Sequence, residues 1–595
     1  MTVQTATTLA EAFLETVDRR ADDVALRTKE DEVAITWAQW RDRSAAIAAG
    51  LQGLGLEREQ CVGLMLGNRP EFHLVDVGIV LAGGTPFSIY QTSSPEQIQY
   101  MVTDADAKIL VTEPVFLPVV LKAREGLPGV EHIIVVDPEG DLPESAISLS
   151  DLEARGAEAG FDLEAAVDAL SADDVLTLIY TSGTTGPPKG VQLSHNNLLS
   201  AVRAIEAMVS FDDDSRVISW LPSAHIAERA AHHYLPIAYG IQVTSCPDPR
   251  QVVSYLPTVQ PSWFFAVPRI WEKLKAGLEA MVASQPPEKQ QGLQAALDAS
   301  IQKVRLEQAG EEVPEELAAA VAKADEEIFS GIRQMLGFSN IKAVNVGAAP
   351  TPVEVIEFFH AIGVPVAEIW GMSETCGAGA ANRPGRIKIG TVGEPAPGFE
   401  IKLAEDGEVL VRAEAVMLGY RNLPDKTAET IDDDGWLHTG DIGEFTDDGY
   451  LKIVDRKKEL IINAAGKNMS PSNIEATLKS ASPLIGQACV IGDARPYNTA
   501  VIVLDADFAP MWAQQHGIED ASLEALSRDE RVRAAVQEGV DAANAKLSRV
   551  EQIKKFFLVQ GDWLPGGDEL TPTMKLKRRP IDAKYAEEIE ALYAG

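Results

Sequence analysis

Cysteines are few in this chain and long apolar runs are missing, and both absences narrow its class. Cys61, Cys246, Cys376 and Cys489 are the only four, widely spaced, with no C-x-x-C pair and no histidine at zinc-ligand spacing. That spacing argues against a disulfide framework or a zinc site and leaves reduced, mostly structural thiols. No run of about 18 apolar residues is available to span a bilayer. No amphipathic basic helix is evident, which limits any membrane contact to a peripheral one. The first twenty residues carry Glu11, Glu15 and Asp18 and no basic segment before an apolar core, so no signal or transit peptide is expected and the expected address is cytoplasmic. Basic residues are in deficit, 52 Lys and Arg against 89 Asp and Glu, for a net charge of −37. Nucleic acid is thereby disfavoured as a partner, because phosphate contacts need a basic surface.

What is present is a chain of 595 residues, 46% hydrophobic and 24% charged, long enough for at least two soluble domains. Short β-branched runs alternate with helical stretches: "KILVT" (108–112), "HIIVVD" (132–137), "LTLIYTSG" (176–183), "RVISWLP" (216–222), "IQVTS" (241–245), "SWFFAVP" (262–268) and "IKAVNVG" (341–347). The pattern predicts an α/β fold with buried, largely parallel strands, whose ligands sit at the carboxyl edges. Residues 272–338 are rich in Ala, Glu, Gln, Lys and Leu and broken by Pro286, Pro287 and Pro314, which predicts a helical insertion. After residue 400 short strands join through Asp-Gly turns, and from Asp455 onward a βα pattern predicts a small α+β domain. The expected division is 1–454 and 455–595.

One loop carries chemistry on its face. "LIYTSGTTGPPKG" (178–190) clusters the hydroxyls of Thr181, Ser182, Thr184 and Thr185 with Gly183 and Gly186, and ends in Lys189. Glycines permit close backbone approach and hydroxyls donate, so the loop reads as a phosphate cradle. It is not a Walker loop, because Lys189 lies between Pro188 and Gly190 rather than before Ser or Thr. An acidic protein that binds polyphosphate must gather its cations and metal locally.

Further segments follow in order: "IWGMSET" (369–375), "GWLHTGD" (435–441), "DRKKE" (455–459) and "GKNMSP" (466–471). With the loop, these five resemble the successive core motifs of the AMP-forming adenylate synthetase superfamily, over most of the chain. The resemblance implies a large N-terminal domain of mostly parallel sheets and flanking helices plus a small mobile C-terminal domain. It also implies a two-step reaction in which a carboxylate attacks the α-phosphate of ATP and a thiol then takes the acyl group.

By the same resemblance the loop Thr181–Lys189 holds the β- and γ-phosphates, and Glu374 is a Mg²⁺ ligand helped by Thr181. Gly347, Ala348 and Ala349 of "VGAAP" leave room for adenine beside Trp370; Glu368, Gly371 and Ser373 join the nucleotide site. Asp441 accepts the ribose hydroxyls and Arg456 adds a contact. In "LTPTMKLKRRP" (570–580), Lys575 falls at the catalytic lysine, although Met574 stands where the family has glycine and Lys577 lies only two residues on. Asp455 matches the family hinge, and Gly466 and Lys467 the loop beside the incoming pantetheine of coenzyme A. His225 in "LPSAHIAERA" occupies a position next to the carboxylate. "FFAVPRIWEKL", the insertion and "TPTMKLKRR" resemble the bacterial long-chain fatty acyl-CoA synthetase branch. The resemblance therefore implies a fatty acid substrate, with ATP and coenzyme A as co-substrates. Medium-chain, branched or sterol side-chain acids, a carrier-loading ligase and a noncatalytic binding protein are the alternatives.

Overall fold

The computed structural model describes residues 5–181, 187–463 and 468–594. Each predicted β-branched run forms a strand, because branched side chains pack well on a pleated, two-sided surface. Three of them run parallel in the largest sheet together with three strands outside the predicted runs, in the spatial order Ala146–Ser148, His132–Val135, Ile109–Thr112, Cys61–Met65, Thr85–Ser88 and Val175–Thr181. Lys189–Ser194 then returns antiparallel, and Gly419–Tyr420 closes that edge. A second sheet places Trp263–Ala266, Ala343–Val346 and Val366–Gly371 parallel, with Gly379–Ala381 and Glu394–Pro395 added antiparallel. A third sheet joins Arg216–Ser219, Gln242–Ser245, Val24–Arg27 and Ala34–Thr36. The Asp-Gly texture after residue 400 becomes an antiparallel sheet, Glu400–Leu403, Glu408–Arg412, Leu437–Phe445 and Leu451–Arg456. Its turns need Gly407 at φ +84° and Gly449 at φ +88°, where a β-carbon would be strained.

The helical insertion reaches back further than the composition suggests. It opens with Pro268–Ala283 and continues through Pro287–Ala309, Glu315–Ala324 and Ser330–Met335. Proline at the first helical position of two of these explains the difference, since it starts a helix as readily as it ends one. Most of Pro287–Ala309 faces solvent; Ser300 and Val304 are its buried residues.

The C-terminal part has its own core. Ile485–Ile491, Asn498–Leu504 and Ile553–Leu558 pair in one sheet, and Ile474, Leu478, Ile502, Val536 and Phe556 pack together beside it. Ion pairs among the described residues that tie this part to the rest include Arg269 to Asp505 at 2.9 Å, Lys273 to Asp507 at 2.7 Å and Lys546 to Glu354, besides those of Arg456 and Lys457 at the boundary. No helix among the described residues is long and apolar enough to cross a membrane.

Within the large core lies a fully buried charge cluster. Arg229 donates to Asp76 at 2.6 Å, to Ser88 Oγ at 2.9 Å and to the Tyr234 hydroxyl at 2.6 Å, while His233 Nε2 bonds Asp76 at 2.9 Å. Next to it Glu228 accepts from Ser219 Oγ at 2.6 Å and from the Leu221 amide at 3.0 Å, and bonds His232. Glu228 and Arg229 precede a π-helical turn, Ala230–Tyr234, that carries His232, His233 and Tyr234, and the Glu228 and Arg229 bonds close the segment 221–229 on itself. Removing one member of a buried pair strands the other charge. Asp76→Asn is therefore expected to lower the unfolding free energy of the large domain by about 3–5 kcal/mol, read as an earlier first transition in urea.

Candidate active site

The site forms where strand ends from two sheets meet. Val175–Thr181 carries Thr181 to its carboxyl end, and the antiparallel partner returns with Lys189 opposite it in the ladder. Ser182, Gly183, Thr184, Thr185 and Gly186 lie outside the described residues, as do Gly466 and Lys467. Across the cleft, Val366–Gly371 delivers Glu368 and Trp370 and the chain then turns through Ser373–Thr375, which holds Glu374 largely buried. The turn requires Gly371: a β-carbon there would stand 2.4 Å from the Gly377 carbonyl oxygen.

Glu374 and Lys189 are brought together by a residue that sequence reasoning missed. The Tyr420 hydroxyl donates to Glu374 Oε1 at 2.7 Å, and Lys189 Nζ lies 3.7 Å from the centre of the Tyr420 ring. Burial lowers the Lys189 pKa and the Glu374 charge opposes that fall. Tyr420 sits in a two-residue strand, too short for any periodic signal. Among the described residues no cluster of three or more His, Cys, Asp or Glu could enclose a metal by itself. A single carboxylate beside a phosphate loop nevertheless suits Mg²⁺, which keeps waters and phosphate oxygens as most of its ligands.

A second carboxylate anchors the opposite wall. Asp441 is buried, accepts from Trp370 Nε1 at 2.8 Å and pairs with Arg456 Nε at 2.7 Å, its cross-strand neighbour. Burial raises its pKa, and Arg456 works against that rise. Glu368 points away from Trp370's partner toward the Gly390 amide, 3.1 Å from Oε2, and burial pushes its pKa up to about 7. Gly347 is buried at the end of its strand, with the Ile369 carbonyl 3.1 Å from where a β-carbon would be. Ala348 takes φ +71° and, with Ala349, is exposed at the cleft.

Lys575 enters this cleft from the C-terminal part. Its side chain still meets solvent, yet protein crowds it closely enough to depress its pKa; Arg456 deepens the fall while Asp441, Glu459 and Glu374 oppose it. Lys577 does something else, since its ammonium donates to the Gly567 carbonyl at 2.7 Å. The two lysines therefore do not face alike, because the segment is a tight turn and not an extended strand. Met574 N donates to Thr571 O, Thr571 N to Lys575 O, and Met574 itself adopts φ +66°. A left-handed residue just before Lys575 is what a glycine would supply, so methionine keeps the turn at a cost of about 1–2 kcal/mol.

His225 is neutral: burial and the nearby Lys575 charge hold its pKa down at about 4. Its Nδ1 accepts from the Ala227 amide at 3.0 Å, which leaves the ring proton on Nε2 as a free donor. Asp455 is buried and fully used, accepting from Ser470 Oγ at 2.6 Å, Ser472 Oγ at 3.0 Å and the amides of Arg456 and Ser472.

From Trp370 an apolar cavity runs along the second sheet, between its face and the helix His195–Val209, with about 830 Å³ of unfilled space that includes its solvent-open part. Ile205, Phe265, Val344, Ala367 and Ile369 wall it, and Lys342 and Pro365 mark the end farthest from Trp370. Its lining comes from six separate segments, many of its residues alanine or glycine, which no single stretch of sequence announces.

Burial and Arg456 act oppositely on Asp441, and the Trp370 indole reports on it. Arg456→Ala is expected to move the acid-side fluorescence transition of Trp370 to higher pH, measured as the difference from a Trp370→Phe control.

Comparison with known proteins gives a consistent picture. The family model described as "AMP-binding enzyme" matches residues 13–421, and that described as "AMP-binding enzyme C-terminal domain" matches 458–595. A protein of Mycobacterium tuberculosis, provisionally named fatty-acid–CoA ligase fadD11, is 52% identical over 76% of this chain and 79% of its own. The long-chain-fatty-acid–CoA ligase FadD15 of Mycobacterium bovis is 34% identical over 94% of this chain and 92% of its own. Among solved structures, the adenylation domain of a carboxylate reductase from Mycobacterium chelonae superposes with a TM-score of 0.75 at 21% identity, covering 99% of this chain and 91% of that one.

Proposed function

Because this chain belongs to the AMP-binding enzyme family, we propose that it is a long-chain fatty acid–CoA ligase, forming an acyl-adenylate from ATP and passing the acyl group to coenzyme A. The observation that carries this reading is the joining, at Trp370, of a cleft lined by Lys189, Arg456 and Lys575 to a long apolar cavity. The cavity follows five residue steps of strand from Pro365 to Trp370, about 16 Å. A polymethylene chain advances about 1.2 Å per bond, by analogy with the extended backbone. About a dozen methylenes fit that length, each contributing about 0.8 kcal/mol on burial, so long acids are favoured over short ones. The names of the relatives support the same substrate class.

In this reading the Thr181–Lys189 loop holds the β- and γ-phosphates. Trp370 and the Gly347–Ala349 backbone flank the base, with Glu368 at its edge. The carboxylate oxygens of Asp441 already serve Trp370 and Arg456, and each has a second lone pair for a ribose hydroxyl. Lys575 brings its ammonium to the substrate carboxylate and the α-phosphate, offsetting charge that builds at phosphorus. His225 Nε2–H donates to the acyl oxygen. Mg²⁺, when bound, neutralises phosphate charge; Glu374 Oε2, without a protein partner among the described residues, and the Thr181 hydroxyl are the oxygens that would hold it. Asp455 serves as the hinge that exchanges Lys575 for the Gly466–Lys467 loop when the thiol arrives, dividing the chain into 1–454 and 455–595. A cytoplasmic setting, where ATP and coenzyme A are available, fits these substrates.

Mass-spectrometric analysis of products from ATP, Mg²⁺ and a ladder of fatty acids, with and without coenzyme A, tests the proposal. AMP and acyl-CoA, favouring the longer acids, are expected. Acyl-adenylate that persists despite coenzyme A would instead indicate a carrier-loading ligase. Lys575→Ala is expected to abolish adenylation while sparing transfer from supplied acyl-adenylate; Lys577→Ala should leave the first half-reaction nearly intact. Glu368 adds a pH signature. Its carboxylate form is lost as pH falls through about 7, so KM for ATP should rise roughly tenfold from pH 8 to pH 6. Glu368→Gln should flatten that dependence.

A further inference from the structure

The helical insertion reaches a loop that walls the cavity through a side chain that no motif marks. Gln308, near the end of the helix Pro287–Ala309, donates from Nε2 to the Ile387 carbonyl at 2.9 Å and accepts at Oε1 from the Ile389 amide at 2.9 Å. A primary amide thus pairs with two backbone groups of the loop 382–391 as a neighbouring strand would. Asn382 ties the same loop from within, accepting from the Lys388 amide at 2.9 Å and donating to the Thr391 carbonyl at 2.7 Å. The inner side of this loop is cavity wall, formed by Asn382, Pro384 and Ile387.

The loop's direction fixes which part of the cavity it covers. Gly379 pairs with Gly371 and Ala381 with Ile369 in antiparallel register, so residues beyond Ala381 run toward Pro365, away from Trp370. The loop therefore walls the far half, where only the later carbons of a long acyl chain reach. Gln308 is also not what holds its helix down: Arg305 makes a two-pronged pair with Glu357 at 2.9 and 2.7 Å, and Val304 is buried one turn earlier. Its two bonds are free to act on the loop alone.

We propose that Gln308 is a specificity-determining positioning residue, clamping the loop 382–391 so that the far half of the cavity stays closed around long acyl chains. The inference rests on reading the cavity as the acyl site. Short acids do not reach the clamped wall and gain nothing from it. The insertion is then a chain-length device, built outside the catalytic cleft and acting through backbone groups of one loop.

The test compares Gln308→Leu and Gln308→Glu with wild type. Leucine keeps the bulk and loses both bonds; glutamate keeps the acceptor for Ile389 and sets a carboxylate oxygen against the Ile387 carbonyl. Gln308 is solvent-exposed, so folding is expected to survive either substitution. With two ordinary hydrogen bonds at stake, kcat/KM for a sixteen-carbon acid should fall about five- to tenfold while that for an eight-carbon acid stays within about twofold. Amide hydrogen exchange should quicken across 383–391 and nowhere else. An equal fall for both acids, an unchanged ratio, or unchanged exchange in the loop would overturn the inference. A wild-type chain that makes no AMP with any acid would overturn the ligase reading itself, a separate failure from an active enzyme whose ratio does not move.

Discussion

In the proposed reading one strand, Val366–Gly371, serves two ligands of opposite character, and the rest of the site is arranged around that constraint. Strand side chains alternate, so Ala367 and Ile369 wall the apolar cavity while Glu368 lies on the other face. At the strand's end Trp370 belongs to both, its ring closing the cavity and its indole N–H bound to Asp441. The charged reaction centre and the greasy channel are thus separated by the thickness of one ring. Polar and apolar requirements are met without a partition of their own.

Charge gathering follows from the same economy of space. A chain of net charge −37 presents a repulsive exterior to a nucleotide, and the cleft gathers cations locally. Lys189, Arg456 and Lys575 approach from three different elements, and the carboxylates near them are themselves held, Glu374 by Tyr420 and Asp441 by Trp370. Fixed dipoles and charges of this kind need no reorganisation when a phosphate arrives.

Much of this was legible in the sequence, and the reasons for the rest are physical. The parallel strands at 109–112, 132–135, 175–181, 263–266 and 343–346 declared themselves as β-branched runs, whereas Cys61–Met65, Thr85–Ser88 and Ala146–Ser148 did not, and Trp370, Glu374, Asp441 and Arg456 stood in ordered motifs. Tyr420 gave no sign because a two-residue strand has no period. Lys575 and Lys577 were inseparable while the segment was read as extended; the hydrogen-bonded turn at Thr571–Lys575, with Met574 left-handed, separates them. The cavity was invisible because alanines and glycines from distant segments carry no signal until the sheets bring them together. Gln308 looked like one more polar residue on a solvated helix, and only the position of the loop gives it a partner.

The ion pairs between the C-terminal part and the rest have a mechanical meaning. Lys273–Asp507 and Lys546–Glu354 are open to water on both sides, and Arg269–Asp505 is only partly sheltered. Exposed pairs of this kind contribute about 0–1 kcal/mol each, comparable to thermal energy. Under the proposed rotation about Asp455, contacts this light would act as a detent: they would give the C-terminal part a preferred resting angle and yield to whichever ligand next rewards a different one.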